Sequence, residues 1–245
     1  MAFDIRLFEK YLPHGVRAEY YDSIDSTNTE LVRRVKSGEA RCGDVIAAGM
    51  QTAGRGRRGN SFSSPEGGIY FSFAAKNIEG AIPTVMSGVA VADTLALFGY
   101  SPEIKWVNDV LVCGGKVCGI LAEAVGGTGL CVIGIGINLK SEAIPPELKN
   151  TAAALDSAGI EIPQKEALAG TVVSSFFALA EKGVPEVIGR YRSYLNFLGE
   201  DIVIKSTGEV CRSLDVTERG ELVVRLRDGA VSHLNSGEIS ILLNR

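Results

Sequence analysis

The pattern of apolar and polar positions divides the chain into two unlike parts. In SIDSTNTELVRRVK, residues 23–36, Leu31, Val32 and Val35 recur at helical spacing. They follow Thr27 and Glu30, a capping-box pair, so a helix is predicted with Ser26, Thr27 and Asn28 at its N-terminus. DVIAAGMQTA then reads as a strand entering the loop GRGRRGNSFSSPEGG, and IYFSFAAK as the strand leaving it. Pro83 opens a mostly buried helix running to about Phe98. IKWVND, KVCGILAEAV and LCVIGIGINL predict three strands in close order, joined by glycine-rich turns. After an irregular stretch beginning at Pro145 and Pro146, helical patterns cover about residues 164–182 and 185–197. Helices interleaved with strands on short turns predict an α+β fold with a mixed or antiparallel sheet. Beyond Leu198 come five short alternating segments, EDIVIKS, EVCRSLDVTE, GELVVRLRD, AVSHLNS and EISILL, broken by Gly208, Gly220, Gly229 and Gly237. They predict a small all-β barrel or sandwich over residues 198–245, leaning for stability on a larger part, residues 1–197.

Composition narrows the chemistry. The 245 residues are 46% apolar and 22% charged, ordinary for a globular protein. With 25 basic against 29 acidic residues the net charge is −4, so no global field holds a nucleic acid or an anionic membrane. Any anion site must be local. No run of about 18 apolar residues is present, and the charged start MAFDIRLFEK lacks a signal-peptide pattern, so a cytoplasmic protein is expected. Five cysteines without a C-x-x-C pair predict reduced, packed thiols. Two histidines, His14 and His233, lack metal-ligand spacing, which removes the usual partner of zinc and of a Ser/His or Cys/His nucleophile. Chemistry must run on Lys, Arg, Asp, Glu and backbone groups.

The sharpest motif is residues 51–59, Q-T-A-G-R-G-R-R-G. Gly54, Gly56 and Gly59 formally satisfy G-x-G-x-x-G, but a Ser/Pro/Gly segment leads to a strand instead of a helix, against a dinucleotide site. A solvated basic loop is one reading. The other is an anion-binding loop, in which glycines let backbone N–H groups approach closely and Arg55, Arg57 and Arg58 add charge. Lys105-Trp-Val-Asn-Asp109 is either an ordinary turn or a place where Asn108 and Asp109 position substrate phosphates, Asp109 with Mg²⁺. Lys116, opening an apolar strand, either snorkels to water or points into a site as a desolvated ammonium. Gly134, Gly136 and Asn138 mark close approach of a ligand or of another element, and Trp106 reads as core.

Taken in order, S-T-N at 26–28, Q-x-A-G-R-G-R-R-G at 51–59, K-W-x-N-D at 105–109, K-x-x-G-I-L at 116–121, G-x-G-x-N at 134–138 and G-E-I-S at 237–240 resemble the biotin protein ligases over nearly the whole chain. The resemblance implies an α+β catalytic domain followed by an SH3-like barrel. It also implies a two-step reaction, in which biotin and ATP give biotinyl-AMP and the acyl group passes to a lysine of a biotin carboxyl carrier protein. Uniting a carboxylate with an α-phosphate needs cations and backbone donors more than a nucleophile. Carried over by position, Ser26, Thr27, Asn28, Gln51, Arg55, Gly56, Arg57, Lys116 and Gly119 are the implied biotin contacts. Gly54, Arg57, Arg58, Phe62, Asn108, Asp109 and Asn138 are the implied ATP contacts, Asp109 with Mg²⁺. Lys116 and Arg57 are the implied catalytic pair, Arg57 retaining the adenylate.

The chain departs from the family pattern twice. Phe62 stands where Trp is usual, leaving an aromatic wall without an indole N–H, and Val107 stands for Pro, removing a fixed φ before Asn108. Many relatives begin with a DNA-binding head; about 25 residues precede the S-T-N motif here, so a short form that binds no DNA is expected. A homodimer is among the assemblies left open. The alternatives are a lipoate or octanoate ligase of related fold, a non-catalytic biotin or nucleotide sensor, and a nucleic-acid module using the arginine loop.

Overall fold

A computed structural model describes residues 3–235 and 239–241. The elements are α1 (Ile5–Tyr11), β1 (Ala18–Tyr21), α2 (Thr27–Ser37), β2 (Val45–Ala48), β3 (Gly68–Lys76), α3 (Ile82–Leu97), β4 (Pro102–Lys105), β5 (Asp109–Val112), β6 (Gly115–Val125) and β7 (Leu130–Asn138). After three short 3₁₀ turns come α4 (Lys165–Lys182), α5 (Val184–Ser193), β8 (Asp201–Ile204), β9 (Glu209–Val216), β10 (Leu222–Arg225), β11 (Val231–Leu234) and β12 (Ile239–Ile241).

Seven strands form one sheet in the order β1-β2-β3-β7-β6-β5-β4, with β1 parallel to β2 and the other neighbours antiparallel. The predicted mixed sheet is therefore present. Period-two alternation sorts its residues onto two faces. On β7, Cys131, Ile133, Ile135 and Ile137 join Phe71 and Phe73 of β3 in the main core, together with residues of α1, α3, α4 and α5. The opposite face carries a smaller core, in which Leu31 and Val35 of α2 meet Ile46, Ala74, Val125 and Val132. Beyond that patch the same face presents Gly134 and Gly136, and there the sheet is open to a cleft.

Several local differences from the predicted elements have clear causes. The cap of α2 is Ser26, whose hydroxyl accepts from Thr29 N at 3.3 Å; Thr27 is already helical. Glu30 instead pairs with Arg33 and Arg34 at 2.7 Å each. IKWVND is not one strand: it ends at Lys105, turns through Trp106 to Asn108, and restarts as β5. The Trp106–Val107 peptide bond is cis. Neither α1 nor β1 was foreseen; Asp4 caps α1 by accepting from Arg6 N and Leu7 N.

The five-stranded antiparallel sheet that follows, β11-β10-β9-β8-β12, matches the change in texture past Leu198. Gly237 and Glu238 of the terminal motif lie outside the described residues, whereas Ile239 is in β12. Ile202, Ile204, Cys211, Val216, Leu222, Val224 and Ile239 belong to the same continuous core as the larger sheet, so the two sheets are packed as one body. All five cysteines are free thiols, three of them buried.

Two stability tests arise here. At Gly170 of α4 a β-carbon would lie 2.4 Å from Tyr11 Cβ, so α1 seats directly on this glycine. Gly170→Val is expected to lift α1 and lower stability by about 1–3 kcal/mol, read as a drop in melting temperature. The second concerns Glu30, whose carboxyl Arg33 and then Arg34 hold down from 4.5 to about 2. A carboxylate depressed on folding adds stability that is fully present above pH 4.5 and is lost as pH falls toward 2. Glu30→Gln should therefore flatten the acid limb of the stability curve across that window, measured by denaturant midpoints.

Candidate functional site

A cleft of about 740 Å³ opens on the α2 side of the large sheet, beneath the loop of residues 54–62. Its floor runs along β7, from Gly134 under Asn28, through Gly136 under Phe62, to Asn138. At a strand rise of about 3.3 Å per residue those positions span roughly 13 Å.

The α2 end is polar. Thr27 N and Oγ1 both donate to Gln51 Oε1, at 2.9 and 3.1 Å, and Thr27 Oγ1 lies 2.8 Å from the buried Ser72 hydroxyl. Gln51 Nε2 donates to Ser64 Oγ at 2.8 Å, and Ser64 in turn donates to Phe62 O. These bonds fix the helix end, the strand and the loop against one another. Asn28 is 5% exposed, and neither its amide nitrogen nor its amide oxygen has a protein partner. Burying an unpaired amide is unfavourable by roughly 1–3 kcal/mol, which marks Asn28 as a candidate ligand contact.

The opposite end is cationic. Lys116 Nζ lies 2.8 Å from Asp109 Oδ1, an ion pair whose angles fall short of a hydrogen bond, so that oxygen has no hydrogen-bond donor. Lys116 reaches the cleft because of a bulge. Pairing of β5 with β6 passes from Val110↔Cys118 to Leu111↔Lys116, leaving Val117 as the extra residue. Val117 enters the main core and Lys116 is re-aimed onto the open face. Burial pushes the neighbouring Cys118 thiol up, despite Lys116, which keeps it protonated and unreactive.

The loop closes over this floor. Arg55 makes a two-pronged pair with Glu123 of β6 at 2.9 and 2.8 Å, and Arg57 Nη1 donates to Asn108 Oδ1 at 3.0 Å. Gly56 N donates to Asn60 O, and Arg58 adopts the left-handed conformation with φ 58°. The Phe62 ring descends onto two cross-strand glycines. A β-carbon on Gly136 would sit 2.4 Å from the ring and one on Gly119 2.7 Å from it, so glycine at both positions is what admits the ring. Lys116 Nζ stands 5.9 Å from its centroid. Asn138 Nδ2 donates to Ala153 O at 3.0 Å, tying the strand end to the irregular segment that walls the cleft.

Of the residues singled out from sequence, Ser26, Thr27, Asn28, Gln51, Arg55, Gly56, Arg57, Arg58, Phe62, Asn108, Asp109, Lys116, Gly119 and Asn138 all line this one cleft. Gly54 does not: a β-carbon there would meet Phe62 O at 2.3 Å, so its part is to let two loop strands approach. Trp106 is 3% exposed, as its core reading required, and only borders the cleft. Sequence reasoning missed Ser72, Ser64 and Glu123, which act through Thr27, Gln51 and Arg55. Alternation of β6 from Gly119 would have put Glu123 on the cleft face.

The cleft is lined by Arg55, Arg57, Arg58, Lys105, Lys116, Lys140, Lys149 and Lys205, with Asp109 the single acidic residue among the described lining residues and no histidine there, a composition suited to an enzyme that holds anionic substrates. The model of the biotin/lipoate A/B protein ligase family matches residues 20–139. The bifunctional ligase/repressor BirA of Salmonella typhimurium is 31% identical over 236 residues, covering 89% of this chain and 72% of that protein. The biotin–(acetyl-CoA-carboxylase) ligase of Mycobacterium tuberculosis is 29% identical, covering 80% and 79%. The solved biotin protein ligase from Aquifex aeolicus, in complex with biotin and ATP, superposes with a TM-score of 0.78 at 28% identity, covering 92% of this chain and 98% of that one. The chain belongs to the biotin/lipoate A/B protein ligase family.

Proposed function

We propose that this enzyme activates biotin with ATP as biotinyl-AMP and transfers the biotinyl group to one lysine of a biotin carboxyl carrier protein. The observation that carries the reading is the pairing, in one cleft, of the unpartnered Asn28 amide beside Gly134 with the Lys116–Asp109 cluster beside Gly119, farther along the same floor. A cyclic urea offers the N–H and C=O groups that Asn28, Ser26, Thr27 and Gln51 can pair. The dithiolane ring of lipoate offers neither. That contrast favours biotin over lipoate.

In the first step the carboxylate of biotin attacks the α-phosphorus of ATP and pyrophosphate leaves with the electron pair of the broken P–O bond. Lys116, which lines the cleft, is read as the contact to both the carboxylate and the α-phosphate, offsetting the repulsion between two anions. Arg57, held by Asn108, adds charge from the loop above and shields the reactive adenylate from water. Asn108, Asn138 and Arg58 are read as nucleotide contacts, and Phe62 as the aromatic wall. Asp109, the one carboxylate among the described lining residues, would supply a ligand to Mg²⁺, which would offset the charge of the substrate phosphates. In the second step the neutral amine of the acceptor lysine attacks the acyl carbon and AMP departs with its phosphate oxygen.

We read residues 1–197 as the catalytic domain and residues 198–245 as an SH3-like module that closes one side of the cleft through Lys205 and Ile239. Among the described residues no helix is long and apolar enough to cross a membrane. We assign the reaction to the cytoplasm. Incubation with Mg-ATP, biotin and a carrier domain should leave one biotinyl group on a single carrier lysine by mass spectrometry. An unmodified carrier alongside active adenylate formation would contradict the assigned acceptor.

A further inference from the structure

The turn that carries Asn108 and Asp109 is braced from outside its own sheet. Tyr191 of α5, fully buried, donates its hydroxyl to Val107 O at 3.1 Å. Trp106 Nε1 donates to Gly220 O, in the turn between β9 and β10, at 3.0 Å. Ile104 N donates to Tyr194 O at the end of α5. On the cleft side Asn108 receives Arg57, while its own amide donates to Ile120 O at 3.2 Å, and Asp109 meets Lys116.

The brace is itself anchored. Gly220 has φ 79°, and a β-carbon on it would lie 2.9 Å from Ala81 Cβ and 3.0 Å from Val85, so its carbonyl is seated against α3. Arg219 O accepts from Ala81 N at 3.0 Å beside it. Arg192, next to Tyr191, grips Asp215 at 2.6 and 3.1 Å and Val216 O at 2.6 Å. Helix α5 and the five-stranded sheet therefore meet the turn as one support.

We propose that Tyr191 and Trp106 are positioning residues for nucleotide activation, the Tyr191 hydroxyl through Val107 O and the Trp106 indole through Gly220 O, so that the C-terminal sheet sets where Asn108 and Asp109 stand. The inference rests on the assignment of those two residues to the nucleotide. Val107 has no proline ring to restrict this turn, and the Tyr191 hydroxyl supplies a restraint from behind. The hydroxyl is unnecessary for packing, because phenylalanine fills the same space; what it adds is a bond to the carbonyl immediately before Asn108.

The test compares Tyr191→Phe and Trp106→Phe with the unaltered full chain by calorimetric titration of Mg-ATP and, separately, of biotin. Mg-ATP affinity should weaken about ten-fold, as for loss of one buried hydrogen bond transmitted to the ligand, while biotin affinity stays within about two-fold. Tyr194→Phe, which loses only its 2.8 Å bond to Asp93, is the control: it should lower the melting temperature and leave Mg-ATP affinity unchanged. Should either variant fail to fold, Gly220→Ala shifts the same carbonyl with both rings in place and should weaken Mg-ATP selectively. Unchanged Mg-ATP affinity in the folded variants, or equal loss of both ligands, would overturn the proposal. Mg-ATP binding without turnover on biotin would count against the assigned reaction and leave this brace supported, whereas an unaltered chain that binds no Mg-ATP would overturn it.

Discussion

Replacing Lys116 with alanine is expected to reduce adenylate formation by about 10²–10³-fold, the usual loss when one preorganised donor is removed from a site of developing charge. The reasoning is electrostatic. Two anions must meet in the cleft, and the bulge at Val117 places this ammonium on the open face, 2.8 Å from Asp109. The variant should fold normally, because Lys116 is partly exposed and its aliphatic stem is not part of the buried core. Asp109 would then lose its counter-charge, which adds repulsion toward the phosphates to the loss of attraction. Pyrophosphate release measured alongside the melting temperature separates chemistry from folding. A folded variant with near-normal release would remove Lys116 from the mechanism.

The second large effect is expected at Gly136. Valine there would place its β-carbon 2.4 Å from the Phe62 ring, which must leave its seat on Gly136 and Gly119. Gly136 lies in the interior of β7 without a left-handed φ, so the strand itself should accept valine, with a stability cost of about 1–3 kcal/mol confined to unseating the ring. Ligand binding should fall, by at least about ten-fold, since the displaced ring enters the space above the floor. Titration with biotin would measure it. Unchanged affinity in Gly136→Val would mean that the ring does not line the ligand's path.

Much of this site was legible in the sequence because its parts lie on short segments with strong local character. The glycines of the arginine loop, the S-T-N helix start and the G-x-G-x-N strand end each announce themselves within a few residues. What was not legible depends on pairing across the sheet. Whether Lys116 faces water or the cleft hinges on one extra residue, Val117, which no periodicity reveals. Glu123, Ser72 and Tyr191 look like ordinary strand and helix residues until β6, β3 and α5 are docked. The cap of α2 moved from Thr27 to Ser26 because both are good caps and only the backbone conformation decides. The break inside IKWVND was hidden because Trp106 and Val107 stay buried through the turn, which an apolar pattern cannot tell from a continuing strand.

The central claim is that this cleft joins the carboxylate of biotin to the α-phosphate of ATP. Pyrophosphate release from Mg-ATP, measured with biotin and in parallel with lipoate, tests it most directly. The account predicts release that depends on biotin and is far slower with lipoate, whose ring cannot satisfy Asn28. No release with biotin, or faster release with lipoate, would contradict it.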